Sequence, residues 1–193
     1  MIKKEEQWNT MLKLKALPFG SIHPVYDCRL ELELGDIIKQ VVDEDCLNDL
    51  DIHNRFLERY QTWIGSTKHN KIKGLELFRS AAFSNGTTEA FDKFYLKHTG
   101  KRLRYFRGEY MYHTAIAKHY FTDVTYIDDS PLETGDVVVI SFPFANTGDE
   151  HPMYKEVIDS CNRLDIPVLI DCAYINLCGG LIFDFNNSCI EEI

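Results

Sequence analysis

The sequence predicts an α/β fold with three layers, α/β/α, built on a mainly parallel sheet. From Leu75 onward, short apolar runs alternate with amphipathic stretches, an order typical of βαβ units. Two of these runs, at 136–141 and 167–171, are β-branched and apolar on both faces. Strands with this composition are buried between two layers of helices, which predicts helices on both sides of the sheet.

Residues 1–73 are predicted to form an N-terminal arm and a helical segment. Leu30, Leu32 and Leu34 alternate with charged residues, which predicts a short strand or an extended arm. The following apolar residues recur at spacings of three and four and predict an amphipathic helix. They are Leu47, Leu50, Phe56, Leu57, Tyr60, Trp63 and Ile64.

Residues 74–193 are predicted to form the α/β part of the chain. The apolar runs predict strands at 78–83, 103–106, 124–127, 136–141 and 167–171, with a candidate for the next strand at 181–185. The amphipathic stretches between them predict helices at 87–98, 110–120 and 152–164. The last of these begins with a proline, a residue that suits the first turn of a helix.

Composition and charge narrow the class of protein. The chain has 193 residues, and because 45% of them are hydrophobic we expect a folded protein and not a disordered one. Its formal net charge of −9 argues against a protein that binds nucleic acid. A basic stretch at 93–107 is the exception, and a solvated helix end followed by a half-buried strand explains it as well as a nucleic-acid stripe does.

The six cysteines and the N-terminal residues point to the cytoplasm. No cysteine pair has the C-x-x-C spacing, and several cysteines lie in apolar runs, so we expect reduced thiols, with no disulfide framework and no metal site. The first 15 residues carry mixed charge without an apolar centre, which is unlike a signal peptide. Since no apolar run reaches membrane-spanning length, we expect no membrane partner.

Two loops lie where parallel sheets bind ligands, beyond the carboxyl ends of strands. The first, at 84–90, reads Ser-Asn-Gly-Thr-Thr-Glu-Ala and opens a predicted helix. Its glycine, its threonine hydroxyls and the free amides of the helix start are what a phosphate requires. An ordinary Asn-Gly turn with a threonine helix cap accounts for the same residues.

The second loop, Asp171-Cys172-Ala173-Tyr174, follows a buried strand. A carboxylate at a strand end can hold a cation or a protonated ring nitrogen, and the tyrosine can reach the same ligand. A magnesium site of a nucleoside triphosphatase would need G-x-x-x-x-G-K-[ST], and a dinucleotide site would need G-x-G-x-x-G. Because neither motif is present, both of these functions are excluded.

Together with Gly108-Glu109-Tyr110 and with 142–148, these loops resemble the ordered motifs of fold-type I pyridoxal-phosphate enzymes, especially the aminotransferases. The resemblance covers about residues 75–185 and implies the large domain of that family, incomplete at its C-terminal end. It also implies the cofactor pyridoxal 5′-phosphate.

The resemblance implies a role for each matched residue. Gly86, Thr87 and Thr88 would hold the cofactor phosphate at a helix N-terminus, and Tyr110 would stack on the pyridine ring. Asp171 would pair with the protonated ring nitrogen, and Tyr174 would donate to the phenolic oxygen. Ala145 falls where the family has an asparagine that contacts this oxygen, and Asn146 is the nearest substitute.

The family's Schiff-base lysine follows the Asp-x-x-Tyr motif, but none of the 19 residues after Tyr174 is a lysine. The resemblance therefore implies no catalytic residue in this chain. We expect a fragment of an aminotransferase-like protein that lacks the C-terminal domain and is inactive as it stands.

Further expectations follow from the same resemblance. The parent protein would take a small amino donor and a keto acceptor, and it would be a homodimer. The alternative function is a non-catalytic α/β module that binds a small phosphorylated ligand or a protein partner through the same loops.

Overall fold

The computed structural model describes residues 28–43 and 51–193. The chain divides into two compact units between Phe56 and Leu57. In the first unit, helix α1 spans Cys28–Asp43, so the strand or extended arm predicted around Leu32 is wrong. Helix α2 spans Ile52–Gly65 and confirms the predicted amphipathic helix there, while Leu47 and Leu50 lie outside the described residues.

A five-stranded parallel sheet forms the centre of the second unit, with the strand order β3-β2-β4-β5-β7. Its strands are β2 (Arg102–Tyr105), β3 (Asp123–Tyr126), β4 (Asp136–Ser141), β5 (Val168–Asp171) and β7 (Ile190–Glu192). Helix α3 (Thr87–Lys97) precedes β2, helix α4 (Met111–Tyr120) connects β2 to β3, and helix α5 (Tyr154–Leu164) connects β4 to β5. The predicted α/β class and the parallel sheet are confirmed.

Strand β4 is buried on both faces, which makes the sheet the middle of three layers. Val138 and Ile140 pack in one apolar cluster with side chains of α5, whereas Val137 and Val139 pack in a second cluster with side chains of α3 and α4. The buried residues of α5 recur at spacings of three and four and so form a single stripe. They are Tyr154, Val157, Ile158 and Cys161.

A second, two-stranded parallel sheet pairs β1 (Lys71–Lys73) with β6 (Ile182–Asp184). The strand predicted at 181–185 is therefore present, but it pairs outside the main sheet. The strand predicted at 78–83 is wrong, because a 3-10 turn at Leu75–Leu77 leads into irregular chain. Gly74 begins this turn at φ 84°, where an added Cβ would lie 2.9 Å from the backbone of Asn186.

The basic stretch at 93–107 is the end of α3 followed by buried strand β2. Five of its side chains form ion pairs with carboxylates: Lys93, Lys97, Arg102, Arg104 and Arg107. Along the described ranges, no helix has both the length and the apolar character to cross a membrane. The cysteines at 161, 172, 178 and 189 are free thiols.

An ion-pair network fixes the start of β4. Asp136 is buried and accepts hydrogen bonds from Arg102 Nε at 2.6 Å and from Arg104 Nη1 at 2.9 Å. The guanidinium of Arg104 is fully buried and also donates to the carbonyl groups of Tyr126 and Pro131. This network ties β2, β4 and the segment after β3 to one another.

We predict that Asp136→Asn lowers the free energy of unfolding by about 3 to 5 kcal/mol, because it leaves the buried charge of Arg104 without its counterion. Urea denaturation followed by circular dichroism measures this change. Glu133→Gln is the matched control, since Glu133 pairs with Arg102 at the exposed surface and its loss should cost far less. Equal stability of the Asp136→Asn variant and the wild type would contradict this account.

Candidate functional site

Polar side chains from three neighbouring strands meet at the carboxyl edge of the main sheet. Glu109 follows β2, Ser141 ends β4 and Asp171 ends β5. Ser141 and Asp171 are direct register partners, so their positions are set by strand pairing. Together with His113 of α4 and Tyr95 of α3, these three residues form what we call the edge cluster. All five members are buried.

Asp171 is only 8% exposed, yet one of its carboxylate oxygens is available for a ligand. Oδ1 accepts a hydrogen bond from the amide of Ala173 at 3.0 Å. Oδ2 lies 3.7 Å from Nε2 of His113, which is beyond hydrogen-bond distance. Within the described ranges, no hydrogen bond is formed by Oδ2. An oxygen without a hydrogen bond, on a side chain that is mostly buried, is an acceptor with spare capacity at the ligand-binding edge of the sheet.

Glu109 ties the loop after β2 to the end of β4. Its Oε1 accepts a hydrogen bond from the amide of Ser141 at 3.0 Å, and its Oε2 accepts one from the hydroxyl of the same residue. Burial is the main cause of a raised pKa at the Glu109 carboxyl, and the hydrogen bonds from Ser141 oppose that shift. The next residue is Tyr110, so this contact also positions the aromatic ring predicted to stack on a ligand.

His113 lies at the centre of the edge cluster. The ring of Tyr110 stands edge-on to it at 5.9 Å and 89°, and the ring of Phe91 lies 4.7 Å away at 62°. The hydroxyl of Tyr95 lies 2.5 Å from Nδ1 of His113. Helix α3 therefore contacts the same imidazole that faces Asp171.

The predicted phosphate loop begins helix α3. Gly86 precedes the helix with φ 98°, and apart from its chain neighbours no atom of the described residues lies within 4 Å of the position of a Cβ there. The amides of Thr87 and Thr88 are in the first turn, where a helix offers them no acceptor. Phe91 follows Gly86 by five residues, or about 7.5 Å along a helix. Because Phe91 packs on His113, less than two turns of α3 separate the loop from a residue that contacts the edge cluster.

The charge of the first turn of α3 is balanced locally. Glu89 Oε2 accepts a hydrogen bond from the amide of Asn85 at 2.7 Å, and Lys93 Nζ lies 2.7 Å from Glu89 Oε1. Lys93, followed by the Asn85 amide, lowers the pKa of the Glu89 carboxyl. An anion at this helix start therefore meets a carboxylate that already has a cationic partner.

The other predicted site residues are surface residues of nearby loops. Tyr110 and Tyr174 leave 45% and 46% of their surface exposed. Asn146 is exposed and packs on Gly108, where an added Cβ would lie 3.1 Å from the Asn146 Cβ. Gly108 has φ 92°, so both its conformation and this close approach favour glycine. The described contacts do not join Tyr174 to the edge cluster.

Sequence reasoning assigned no role to Tyr95, Glu109, His113 or Ser141. Ser141 could have been found, because it is the last residue of a strand predicted at its observed bounds. Asp171, which was found, is likewise the last residue of its strand. His113 follows Tyr110 by three residues on a predicted helix, so the two share a face. Tyr95 and Glu109 gain their partners through packing between distant segments, which spacing along the chain does not reveal.

Comparison of the chain with family models, with curated proteins and with solved structures found no match. Among the described residues, no group of three or more histidine, cysteine, aspartate and glutamate side chains is arranged to hold a metal ion. A function for this chain is therefore inferred from the geometry of the edge cluster.

We predict that burial of Glu109 makes the stability of this fold depend on pH. A raised pKa means that the folded chain holds this proton more tightly than the unfolded chain does. The protonated Glu109 carboxyl therefore contributes its full share to the free energy of unfolding below pH 4.5, which is its ordinary pKa. This contribution is lost as the pH rises through the raised pKa of the folded chain.

Urea denaturation of the wild type and of Glu109→Gln between pH 4 and pH 8 measures this dependence. The difference in the free energy of unfolding, wild type minus variant, should decrease as the pH rises. Glu156→Gln is the control, since Glu156 is exposed on α5. If the difference in the free energy of unfolding between the wild type and Glu109→Gln stays constant with pH, the raised pKa of Glu109 is contradicted.

Proposed function

We propose that this chain binds pyridoxal phosphate at the carboxyl edge of its parallel sheet, as the cofactor-binding part of an aminotransferase-like protein. The observation that carries the proposal is Oδ2 of Asp171, an oxygen that forms no hydrogen bond within the described ranges and belongs to a mostly buried carboxylate at the end of β5. A protonated pyridine nitrogen is a donor that suits such an oxygen, and a charge-assisted hydrogen bond of this kind is about twice as strong as a neutral one.

The start of α3 supports the phosphate end of this proposal. Free amides of Thr87 and Thr88, the threonine hydroxyls and an open approach at Gly86 together suit a phosphate group. Asp171 is the second, independent feature, because it is more than nine-tenths buried and keeps an acceptor free. Phe91, one turn beyond the threonines on α3, packs on His113, and Asp171 faces the same imidazole from the end of β5, so we expect one elongated ligand to use both features.

Tyr110 supports the proposal that the ligand has an aromatic ring. Its ring is nearly half exposed, beside the imidazole of His113, and it is positioned by the hydrogen bonds of the preceding residue, Glu109. An exposed ring held in this way can take an offset-stacked partner, an arrangement worth about 0.5 to 1.5 kcal/mol beyond burial of area. Bound pyridoxal phosphate supplies an electron sink for bond changes at the α-carbon of an amino acid.

The second candidate is a non-catalytic module that binds small phosphorylated ligands. The open helix start at Gly86 favours it, because that feature by itself selects phosphate without selecting a pyridine ring. The two functions differ in the role of Asp171. A phosphate site alone gains nothing from a nearby carboxylate, whereas a protonated ring nitrogen requires one.

We predict that the purified chain binds pyridoxamine phosphate and that Asp171→Asn weakens the affinity by about ten- to a hundredfold, since it removes a charge-assisted hydrogen bond. Pyridoxamine phosphate is the appropriate probe, because it has the pyridine ring and the phosphate but no aldehyde to react with surface lysines. Ligand fluorescence measures the Kd.

Asp159→Asn is the matched control, since Asp159 is exposed on α5, and its affinity should equal that of the wild type. Pyridoxamine without phosphate should bind more weakly than the phosphorylated form. Absence of binding, or equal Kd values for the wild type and Asp171→Asn, would contradict the proposal. Competition by inorganic phosphate together with insensitivity to Asp171→Asn would favour the phosphorylated-ligand module.

A further inference from the structure

His113 is a fully buried histidine with one unused ring nitrogen. It lies on α4, and its Nε2 has no hydrogen-bond partner among the described residues. The same nitrogen is the atom that faces Asp171 Oδ2 at 3.7 Å. Buried polar atoms are nearly always hydrogen-bonded, so a buried nitrogen that faces a buried carboxylate calls for an explanation.

Tyr95 and Asp171 lie on opposite sides of the His113 ring and together favour one position for its hydrogen. Its hydroxyl lies 2.5 Å from Nδ1, and burial raises the pKa of the phenol well above its ordinary value. The phenol therefore keeps its proton, and a phenol can either donate or accept a hydrogen bond. Because a carboxylate oxygen of Asp171 faces Nε2 and can only accept, the arrangement that suits both neighbours has Nδ1 accepting from Tyr95. A neutral imidazole that accepts at Nδ1 carries its hydrogen on Nε2, the nitrogen directed at Asp171.

The surroundings of His113 keep the ring in this orientation. Phe91 and Tyr110 stand at steep angles to the imidazole, at ring distances of 4.7 and 5.9 Å. Glu109 is the other carboxyl near the ring, but its two oxygens already accept hydrogen bonds from Ser141. Asp171 is thus the carboxylate whose unbonded oxygen faces the Nε2 hydrogen, at a distance of 3.7 Å between Nε2 and Oδ2.

We propose that Tyr95 and His113 are positioning residues that hold the carboxylate of Asp171 oriented toward a ligand. A hydrogen on Nε2 stabilises negative charge on Oδ2, while leaving that oxygen capacity for a second donor. This inference rests on the proposed function for the identity of the ligand, but the tautomer of His113 is a property of the chain alone.

The tautomer is measured by two-bond proton–nitrogen NMR correlation on the full chain with ¹⁵N-labelled histidine, without ligand. The wild type should have His113 as the Nε2–H tautomer at neutral pH. Tyr95→Phe removes the donor to Nδ1 and should produce a mixture of tautomers. Tyr112→Phe is the matched control, because its hydroxyl donates to Asp92 rather than to His113, and it should leave the tautomer unchanged.

Affinity for pyridoxamine phosphate gives the functional readout. Tyr95→Phe should raise the Kd by about two- to tenfold, the effect of one neutral hydrogen bond. In an Asp171→Asn background the same change should have no further effect, because Tyr95 acts through Asp171.

The tautomer of His113 and the binding of the ligand are tested by different measurements. An Nδ1–H tautomer in the wild type, or a tautomer that Tyr95→Phe leaves unchanged, would overturn the positioning role even if the ligand binds. Failure of the wild type to bind pyridoxamine phosphate, with the Nε2–H tautomer present, would overturn the proposed function and the part of this inference that depends on it. Additive effects of the two substitutions on Kd would also overturn the inference.

Discussion

Parallel pairing of β2, β4 and β5 is the constraint on which the edge cluster depends. Because neighbouring strands run in the same direction, their carboxyl ends lie at one edge, and the register sets Ser141 beside Asp171. At the opposite end of β4, the buried ion pair between Arg104 and Asp136 holds the strand in place. One edge of the sheet is therefore held by internal charge pairs, while the other keeps a buried carboxylate with an acceptor to spare.

Burial of the sheet on both faces fixes the positions of the edge-cluster residues. Val137 and Val139 pack against α3 and α4, and this layer also carries Tyr95 and His113 to the sheet edge. The same packing that stabilises the fold therefore positions the imidazole against Asp171. Pre-organised polar groups of this kind bind a ligand without the cost of ordering them first.

The sequence predicts the sheet well and the cluster only in part, for a physical reason. Strand β4 matches its predicted bounds because both of its faces are apolar, and Asp171 stands out as a carboxylate that ends such a run. Leu32 and its neighbours alternate over too few residues to distinguish a strand from the helix α1 that they form. The segment at 78–83 begins and ends with phenylalanine but lies in irregular chain, and Phe78 packs on Phe185 without joining a sheet. The contacts of His113 join residues from four segments, which no local pattern encodes.

The central claim is that the start of α3 and the end of β5 serve one ligand. A proton–nitrogen NMR titration of the ¹⁵N-labelled chain with pyridoxamine phosphate tests it most directly. The amide signals of Gly86, Thr87 and Thr88 should shift together with those of Asp171 and Ala173, and all should fit a single Kd. Shifts confined to only one of these two segments, or two different Kd values, would contradict the claim.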